Sequence, residues 1–264
     1  GRTRPHGHLL PESLIAHGGL QQAGPLSCAR IMRIAVHPAA QGRGLGRRLT
    51  AAILDDALAD GLDYAGASFG ASDELLQFWA GNGLLPVRLS VTRGTSSGLH
   101  SALVLGGLSE AGRALAAVAR WRFLEGLPHQ LADPLRDVEP ALAARLLRAS
   151  GGTATPDWSM VSDQDWDDLT GFGHFHRLYE VSVGPLWSLC SQALRDPALL
   201  ETLDEAQRNA LIVKVLQRRS WSETAAVSGL SGRAEALNLL REAVQALLAA
   251  IEPARPRLQR LLGR

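Results

Sequence analysis

The sequence is poor in the residues on which several classes of protein depend. Its 264 residues include a single lysine, Lys214, which follows Val213, so the Gly-Lys-Ser/Thr of a Walker A loop is absent. The two cysteines, Cys28 and Cys190, are too few and too far apart for a disulfide scaffold or a cysteine-based metal site. No apolar run approaches the ~18 residues that a membrane-spanning helix needs, and the first residues lack the apolar core of a signal peptide. The sequence therefore predicts a cytoplasmic globular protein with no membrane segment.

Positive charge is concentrated towards both ends of the chain, although the net charge is only +1. Residues 1–50 hold seven arginines against the single acid Glu12, and residues 206–264 hold ten basic residues against four acids. Basic segments of this kind favour a polyanion, such as the phosphates of CoA or of RNA. A solubilising surface gives the same pattern, so composition leaves both interpretations open.

Hydrophobic periodicity changes near Ser109: strands and amphipathic helices alternate before it, and only helices are predicted after it. We therefore predict an α/β domain over residues 1–125 and an all-α domain over residues 126–264. Residues 151–157 are predicted to be a linker. The predicted strands are 28–36, 64–69, 85–92 and 100–105, and the predicted helices are 9–17, 45–60, 73–80, 110–124, 139–147, 163–169, 182–194, 204–219 and 233–251.

A glycine-rich turn connects the first predicted strand to the helix at 45–60. Backbone N–H groups exposed at the positive end of a helix suit a pyrophosphate, and glycines permit its close approach. The dinucleotide pattern G-x-G-x-x-G fails here, because Arg47 stands at its sixth position. The acetyl-CoA pattern Q/R-x-x-G-x-G/A fits as Gln41-x-x-Gly44-x-Gly46, after a strand and before an amphipathic helix. This context predicts the acetyl-CoA-binding half of a GNAT-type N-acetyltransferase.

Further short motifs extend the likeness along nearly the whole chain. They are Arg33-Ile34-Ala35-Val36-His37-Pro38, Ser68-Phe69-Gly70, Phe78-Trp79, Val87-Arg88-Leu89, Ser97-Gly98-x-x-Ser101-Ala102, Trp166-x-x-Leu169-x-Gly171-Phe172 and Leu230-Ser231-Gly232-Arg233. With these motifs the sequence resembles the tRNA(Met) cytidine acetyltransferase family. The resemblance implies acetylation of the exocyclic amine of a cytidine in RNA, which in bacterial members is the wobble base of elongator tRNA(Met). It also implies an upstream RecA-like module that uses ATP, which nothing in this sequence supplies.

The resemblance assigns cofactor contacts to a strand and to the turn after it. The implied acetyl-CoA contacts are Ile34, Ala35, Val36, Gln41, Gly42, Arg43, Gly44, Leu45, Gly46 and Arg47. The backbone amide of Val36 is expected to polarise the thioester carbonyl. A family glutamate corresponds to Glu74, whereas an arginine expected several residues later is replaced near Gly81.

Two residues are candidates for proton transfer or substrate holding: Glu74, and His37 beside the cofactor strand. Each also has a plain structural interpretation, because an acid in a first helical turn complements the helix dipole and a residue before proline is tolerated at a strand end. The pair His174 and His176 has no cysteine nearby and only scattered acids, so we expect no metal site.

RNA contacts are predicted in the helical domain, chiefly over residues 206–264. The candidates are Arg218, Arg219 and Arg233, with Trp221 as a stacking residue. A buried tryptophan among solvated arginines is an equally good interpretation. Two other functions stay open: a GNAT enzyme acting on a protein or small-molecule amine, and an inactive RNA-binding fragment.

Only 40 residues precede Gln41, fewer than a GNAT domain usually has before this turn. We therefore expect an N-terminally incomplete mixed sheet of four strands in the order 28–36, 64–69, 100–105, 85–92. Its first strand would be an unpaired apolar edge. The chain produced alone is expected to be unstable or oligomeric and to lack catalysis.

Overall fold

The computed structural model describes residues 9–95, 97–148 and 156–251, and within them it has four strands and eleven α-helices. The strands are β1 Cys28–Ile31, β2 Tyr64–Gly70, β3 Leu85–Arg93 and β4 His100–Gly107. The helices are α1 Leu9–Glu12, α2 Leu45–Ala59, α3 Asp73–Ala80, α4 Glu110–Leu131, α5 Pro140–Leu147, α6 Asp163–His174, α7 Val183–Ala193, α8 Pro197–Glu201, α9 Glu205–Ala210, α10 Trp221–Val227 and α11 Arg233–Ile251. Inter-residue contacts divide the chain into two compact units, Gly1–Gly126 and Leu127–Arg264.

Two predicted segments lie wholly or partly outside the described residues. The predicted linker 151–157 lies outside the described residues except for its last two positions. The same holds for the last part of the predicted RNA-binding segment, residues 252–264.

The first unit contains a mixed sheet in the order β1-β2-β4-β3, which confirms the predicted order. β1 and β2 are parallel, and the other two pairs are antiparallel. The prediction of one strand over 28–36 was wrong in length, because pairing ends at Ile31, opposite Ala67. Beyond this point the chain leaves the ladder, and Met32 is 74% exposed. In the described part of the chain no strand other than β2 pairs with β1.

Alternation along the strands sends side chains to two separate cores. On one face, Leu103 and Leu105 pack with Leu10 of α1 and Leu115 of α4. On the other face, Val104 packs with residues of β1, β2, α2 and α3. Helices therefore cover both faces of the sheet, and the second layer holds α2 and α3 beside the glycine-rich turn.

Asp63, just before β2, ties the sheet to the start of α4. Its carbonyl oxygen accepts from the amides of Leu108 (2.8 Å) and Ser109 (3.1 Å), and its carboxylate accepts from the Ser109 hydroxyl (2.7 Å) and the Ser27 amide (2.9 Å). The Ser109 hydroxyl, more than the Ser27 amide, holds the pKa of Asp63 below its usual value. Gly112 permits this approach, because a Cβ there would stand 1.6 Å from the Asp63 carbonyl oxygen.

The second unit is built from helices in the residues described. Its core is apolar, and Phe172, Leu186, Leu240 and Leu247 are fully buried. The predicted helix 204–219 was too long: α9 continues as a π-helical segment, Leu211–Leu216, and ends there. Helices α8 and α10 were missed. No helix in residues 9–95, 97–148 and 156–251 is long and apolar enough to cross a membrane.

Candidate cofactor site

The glycine-rich turn brings the backbone into α2 with two left-handed residues. Gly42 has φ 73° and Gly44 has φ 75°, and an added Cβ at either would meet nothing within 4 Å. Gly44 is the N-cap of α2, and its carbonyl accepts from the amide of Arg48 at 3.0 Å. The amides of Leu45–Arg47 therefore precede the first helical hydrogen bond and stand at the positive end of the helix.

Two side chains fold the segment before the turn back on itself. The Gln41 amide Nε2 donates to the Val36 carbonyl at 3.0 Å. The Ala39 amide donates to His37 Nδ1 at 3.2 Å, which caps the single 3₁₀ turn Pro38–Ala40. Both hydrogen bonds lie beyond Ile31, where the β1–β2 ladder ends, and they hold the chain in a compact course up to the turn.

The segment, the turn and α3 enclose a cleft of about 710 Å³. It is lined by Ile34, Ala35, Val36, Ala40, Gln41, Gly42, Gly44, Leu45, Gly46, Arg47, Glu74, Leu75 and Phe78. The structure thus brings nine of the ten sequence-predicted cofactor residues together with Glu74. Arg43 and His37 are not among the lining residues. The cleft has the positive helix end and the Cβ-free cradle that a pyrophosphate requires.

Sequence reasoning missed part of this lining. Leu75 and Phe78 stand at helical spacing with Trp79, a pattern that indicates core, and only Trp79 is buried. Leu75 is 39% exposed and faces the cleft. Phe78 lies against the turn, because a Cβ at Gly46 would stand 3.3 Å from its ring. Gly46 is already explained by the acetyl-CoA pattern, so no separate signal in the sequence identifies Phe78 as a lining residue.

A second cleft of about 430 Å³ shares Arg47, Glu74 and Phe78 with the first. It is further lined by Gln77, Gly81 and Asn82. The Arg47 Nη2 donates to the Gly81 carbonyl at 2.7 Å, and a Cβ at Gly81 would stand 3.3 Å from the same nitrogen. Near the place where the resemblance predicts an arginine, this chain has Gly81 under the guanidinium of Arg47.

In the second unit two of the three predicted RNA-binding arginines lie over aromatic rings, and the third, Arg219, is held by a backbone carbonyl. The Arg218 Cζ lies 4.8 Å from the centroid of Trp187, and the Arg233 Cζ lies 5.4 Å from that of Trp221. Arg233 also pairs with Glu180 at 3.0 Å. The Arg219 Nε donates to the Arg136 carbonyl at 2.9 Å. Trp221 is half-buried, which decides neither for the stacking residue nor for the buried tryptophan of the two interpretations.

The only lysine stands in the same cluster. Lys214 Nζ lies 4.5 Å from the centroid of Trp221 and 5.2 Å from that of Tyr179, and donates to the Arg219 carbonyl at 2.7 Å. Burial lowers the pKa of Lys214. Among the described residues, no group of three or more His, Cys, Asp or Glu side chains is placed to hold a metal ion.

Comparisons with known proteins match both units. The acetyltransferase (GNAT) family model matches residues 3–72, and the GNAT acetyltransferase 2 model matches residues 51–109. A tRNA-binding domain model matches residues 112–254, which is more than half of the chain.

Curated relatives carry one name. A tRNA(Met) cytidine acetyltransferase of Nitrosococcus halophilus is 58% identical over 248 residues, which cover 94% of this chain and 33% of that protein. Proteins of the same name from Thermococcus sp. (strain AM4) and Haloferax volcanii are each 34% identical, over 222 and 249 residues, covering 84% and 94% of this chain and 27% and 32% of those proteins. The chain belongs to the tRNA(Met) cytidine acetyltransferase family.

Membership of the tRNA(Met) cytidine acetyltransferase family accounts for both units. The expected GNAT-type mixed sheet followed by a helical region is confirmed by the sheet, the helices and the family matches. The chain spans about a third of the length of the curated relatives it matches. It contains acetyltransferase sequence, with acetyl-CoA as the acyl donor that this implies, and a tRNA-binding domain.

Proposed function

We propose that this chain supplies the acetyl-CoA-binding and tRNA-binding parts of an enzyme that acetylates the exocyclic amine of a cytidine in tRNA. The wobble cytidine of elongator tRNA(Met) is the proposed target. One observation carries the proposal: a glycine turn at the start of α2 opens a cleft lined by nine of the ten predicted cofactor residues. The tRNA-binding match over residues 112–254 favours RNA over a protein or small-molecule amine as the acceptor.

The proposed division of labour in the cleft follows from its backbone. The amides of Leu45–Arg47, at the positive end of α2, bind the pyrophosphate of the cofactor. Residues 34–36, which leave the ladder, lie along its pantetheine arm, and the Val36 amide donates to the thioester carbonyl. Acetyl-CoA supplies an activated acetyl group that the amine attacks directly, without an acyl-enzyme. The C–N bond forms as the C–S bond of the thioester breaks, and CoA leaves as its thiol with the proton that the amine loses.

Positioning is the main demand that the acceptor makes on the protein. A cytosine amine is a poor nucleophile because its lone pair is delocalised into the ring, so alignment and polarisation of the carbonyl carry most of the rate. Glu74 lines the cleft and is proposed to hold the amine or to take its proton. His37 points its Nδ1 at the Ala39 amide, and we propose for it a role in fixing the turn next to the reacting groups.

Two further parts of the proposal concern the longer protein. The ATP-using RecA-like module that the family resemblance implies would lie within the two thirds of the relatives that this chain does not match. The cytoplasm is the proposed location. An inactive RNA-binding fragment remains the outcome if the chain binds tRNA without the cofactor.

The test separates binding from transfer. We expect the chain to bind CoA by calorimetry and elongator tRNA(Met) by filter binding. We expect the full-length protein to form N4-acetylcytidine at the wobble position, detected by nucleoside mass spectrometry, and none when that cytidine is replaced by uridine. Acetylation of a protein or polyamine in place of tRNA would contradict the proposed substrate.

A further inference from the structure

Arg218 has a backbone conformation that side chains rarely adopt. Its φ is 52°, and no other non-glycine residue in the described ranges has a positive φ. In this left-handed region the Cβ crowds the backbone, so glycine is the residue expected there. The left-handed backbone at position 218 therefore disfavours any side chain, and another property must account for the arginine.

The neighbours of Arg218 fix this conformation. The buried Gln217 donates its Nε2 to the Val138 carbonyl at 2.6 Å. On the other side, the Arg219 amide donates to the Val213 carbonyl at 3.0 Å, and Arg219 is further held by Arg136. The Arg218 carbonyl itself accepts from Arg136 Nη2 at 3.1 Å. The backbone would keep its course with glycine at position 218, since none of these contacts uses the Arg218 side chain.

The side chain is directed onto an aromatic ring. Its guanidinium lies over Trp187 of α7, with 4.8 Å from Cζ to the ring centroid, and the His129 ring lies 5.6 Å from the same indole. Arg218 is exposed while Trp187 is half-buried. A planar guanidinium supported by an indole offers its outward side as a further flat surface for stacking.

The surroundings of this pair favour a polyanion. Two more arginines lie next to it. Arg136 donates to the Arg218 carbonyl, and Arg219 donates to the Arg136 carbonyl. Two acids in this region already have partners. Glu223 accepts from Ser220 at the start of α10, and that serine, with a smaller effect of Arg219 and Arg136, lowers its pKa. Glu180 pairs with Arg233. The whole arrangement falls inside the tRNA-binding match.

We propose that Arg218, supported by Trp187, is a stacking platform for an unpaired base of RNA. Stacking explains an arginine at this position, because a phosphate contact needs only charge, which any exposed position supplies without a left-handed backbone. The proposal rests on tRNA binding by this unit and specifies how one nucleotide is held.

The experiment separates the effect of the positive charge of Arg218 from that of its planar guanidinium. We would measure binding of elongator tRNA(Met) across a salt series for the wild-type chain, Arg218→Lys, Arg218→Gln, Arg218→Gly and Trp187→Leu. All four substitutions are expected to weaken binding by about 10-fold, and Arg218→Lys is expected to leave the salt dependence unchanged. Arg148→Lys, at a partly exposed arginine paired with Glu201, is the control and should bind as the wild type does.

The other outcomes are distinguishable. If Arg218→Lys binds normally while Arg218→Gln lowers the salt slope by about one, Arg218 contacts a phosphate and the stacking proposal is wrong. Normal binding by all four variants would remove Arg218 from the interface. Thermal melting of Arg218→Gly, which should not fall below the wild type, excludes unfolding as the cause of a loss. A wild-type chain that binds no tRNA would contradict the proposed function itself, and the platform with it.

Discussion

Gly44 in the first unit and Arg218 in the second have the same left-handed backbone and use it in opposite ways. At Gly44 (φ 75°) the space around a Cβ is empty and opens into the cleft. At Arg218 (φ 52°) the backbone is held by hydrogen bonds on both sides, and the side chain lies over Trp187. At Gly44 the missing side chain leaves the backbone accessible to a ligand. At Arg218 the guanidinium is present although glycine would be less strained at this φ.

Gly112 differs from both residues, because a Cβ added there would collide with backbone atoms. Gly112→Ala places a methyl group 1.6 Å from the Asp63 carbonyl oxygen, so α4 must move from the sheet. We expect a loss of about 3 kcal/mol or more in the free energy of unfolding, measured with urea. Gly184→Ala, where no atom lies within 4 Å of the added Cβ, is the control. Equal stability of the two variants would show that the approach of α4 to Asp63 is not tight.

Gly44→Val tests whether the empty space at the turn belongs to the cofactor. A β-branched residue is strained at φ 75°, and its side chain enters the place of the pyrophosphate. CoA affinity should fall by about 100-fold or more in calorimetry. Gly61→Val is a matched control, since Gly61 also has φ 75° and open space, and it should lose stability without losing CoA. Unchanged CoA affinity in Gly44→Val would remove the site from this turn.

Arg47 tests whether a side chain contributes to the backbone-built site. Its guanidinium donates to the Gly81 carbonyl and lines the smaller cleft, and we expect its positive charge to attract a phosphate of the bound cofactor. We expect Arg47→Gln to weaken CoA binding by about 10-fold, more at low salt than at high salt. Arg48→Gln, at the next residue of α2, should change CoA affinity little. If both variants lower CoA affinity equally, the total positive charge of the turn, and not the position of Arg47, contributes to CoA binding.

The strain at Arg218 predicts the smallest effect. Arg218→Gly and Arg218→Ala both remove the contact with Trp187, so they differ only in the backbone. The glycine variant should be more stable by up to about 1 kcal/mol, because only it relieves the left-handed strain. Denaturant unfolding of the two variants measures the difference. A more stable alanine variant would mean that φ at this position is not strained in the folded protein.

The same contrast explains how much could be predicted from the sequence. The turn from Gln41 to Arg47 is contiguous, and its glycines have a local physical reason, so its place before α2 was predictable. The order of the strands followed from the family resemblance. The end of β1 at Ile31 was not predictable, because the apolar pattern continues to Val36 while the chain leaves β2, which runs on to Gly70. The contact between Trp187 and Arg218 joins residues 31 positions apart, and no local sequence pattern predicts it.

Helix α10, absent from the predicted helices, begins with a pattern that can be recognised in the sequence. Ser220 and Glu223 form a reciprocal capping box, with the Ser220 hydroxyl accepting from the Glu223 amide and the Glu223 carboxylate accepting from the Ser220 amide. This Ser-x-x-Glu spacing is the sequence signature of a helix start. The capping box therefore predicts the start of α10 at Trp221 from local sequence alone.

Lys214 has a consequence for how the protein is studied. Acetyl-CoA modifies lysine amines slowly without an enzyme, and in most proteins many sites share that background. Here the only lysine is partly buried, lies against Trp221 and donates to the Arg219 carbonyl. Acetyl-lysine found by mass spectrometry in this chain can therefore come from one position only. Its appearance would report that the contact between Lys214 and Arg219 had opened, which makes this residue a single-site probe of the helical unit.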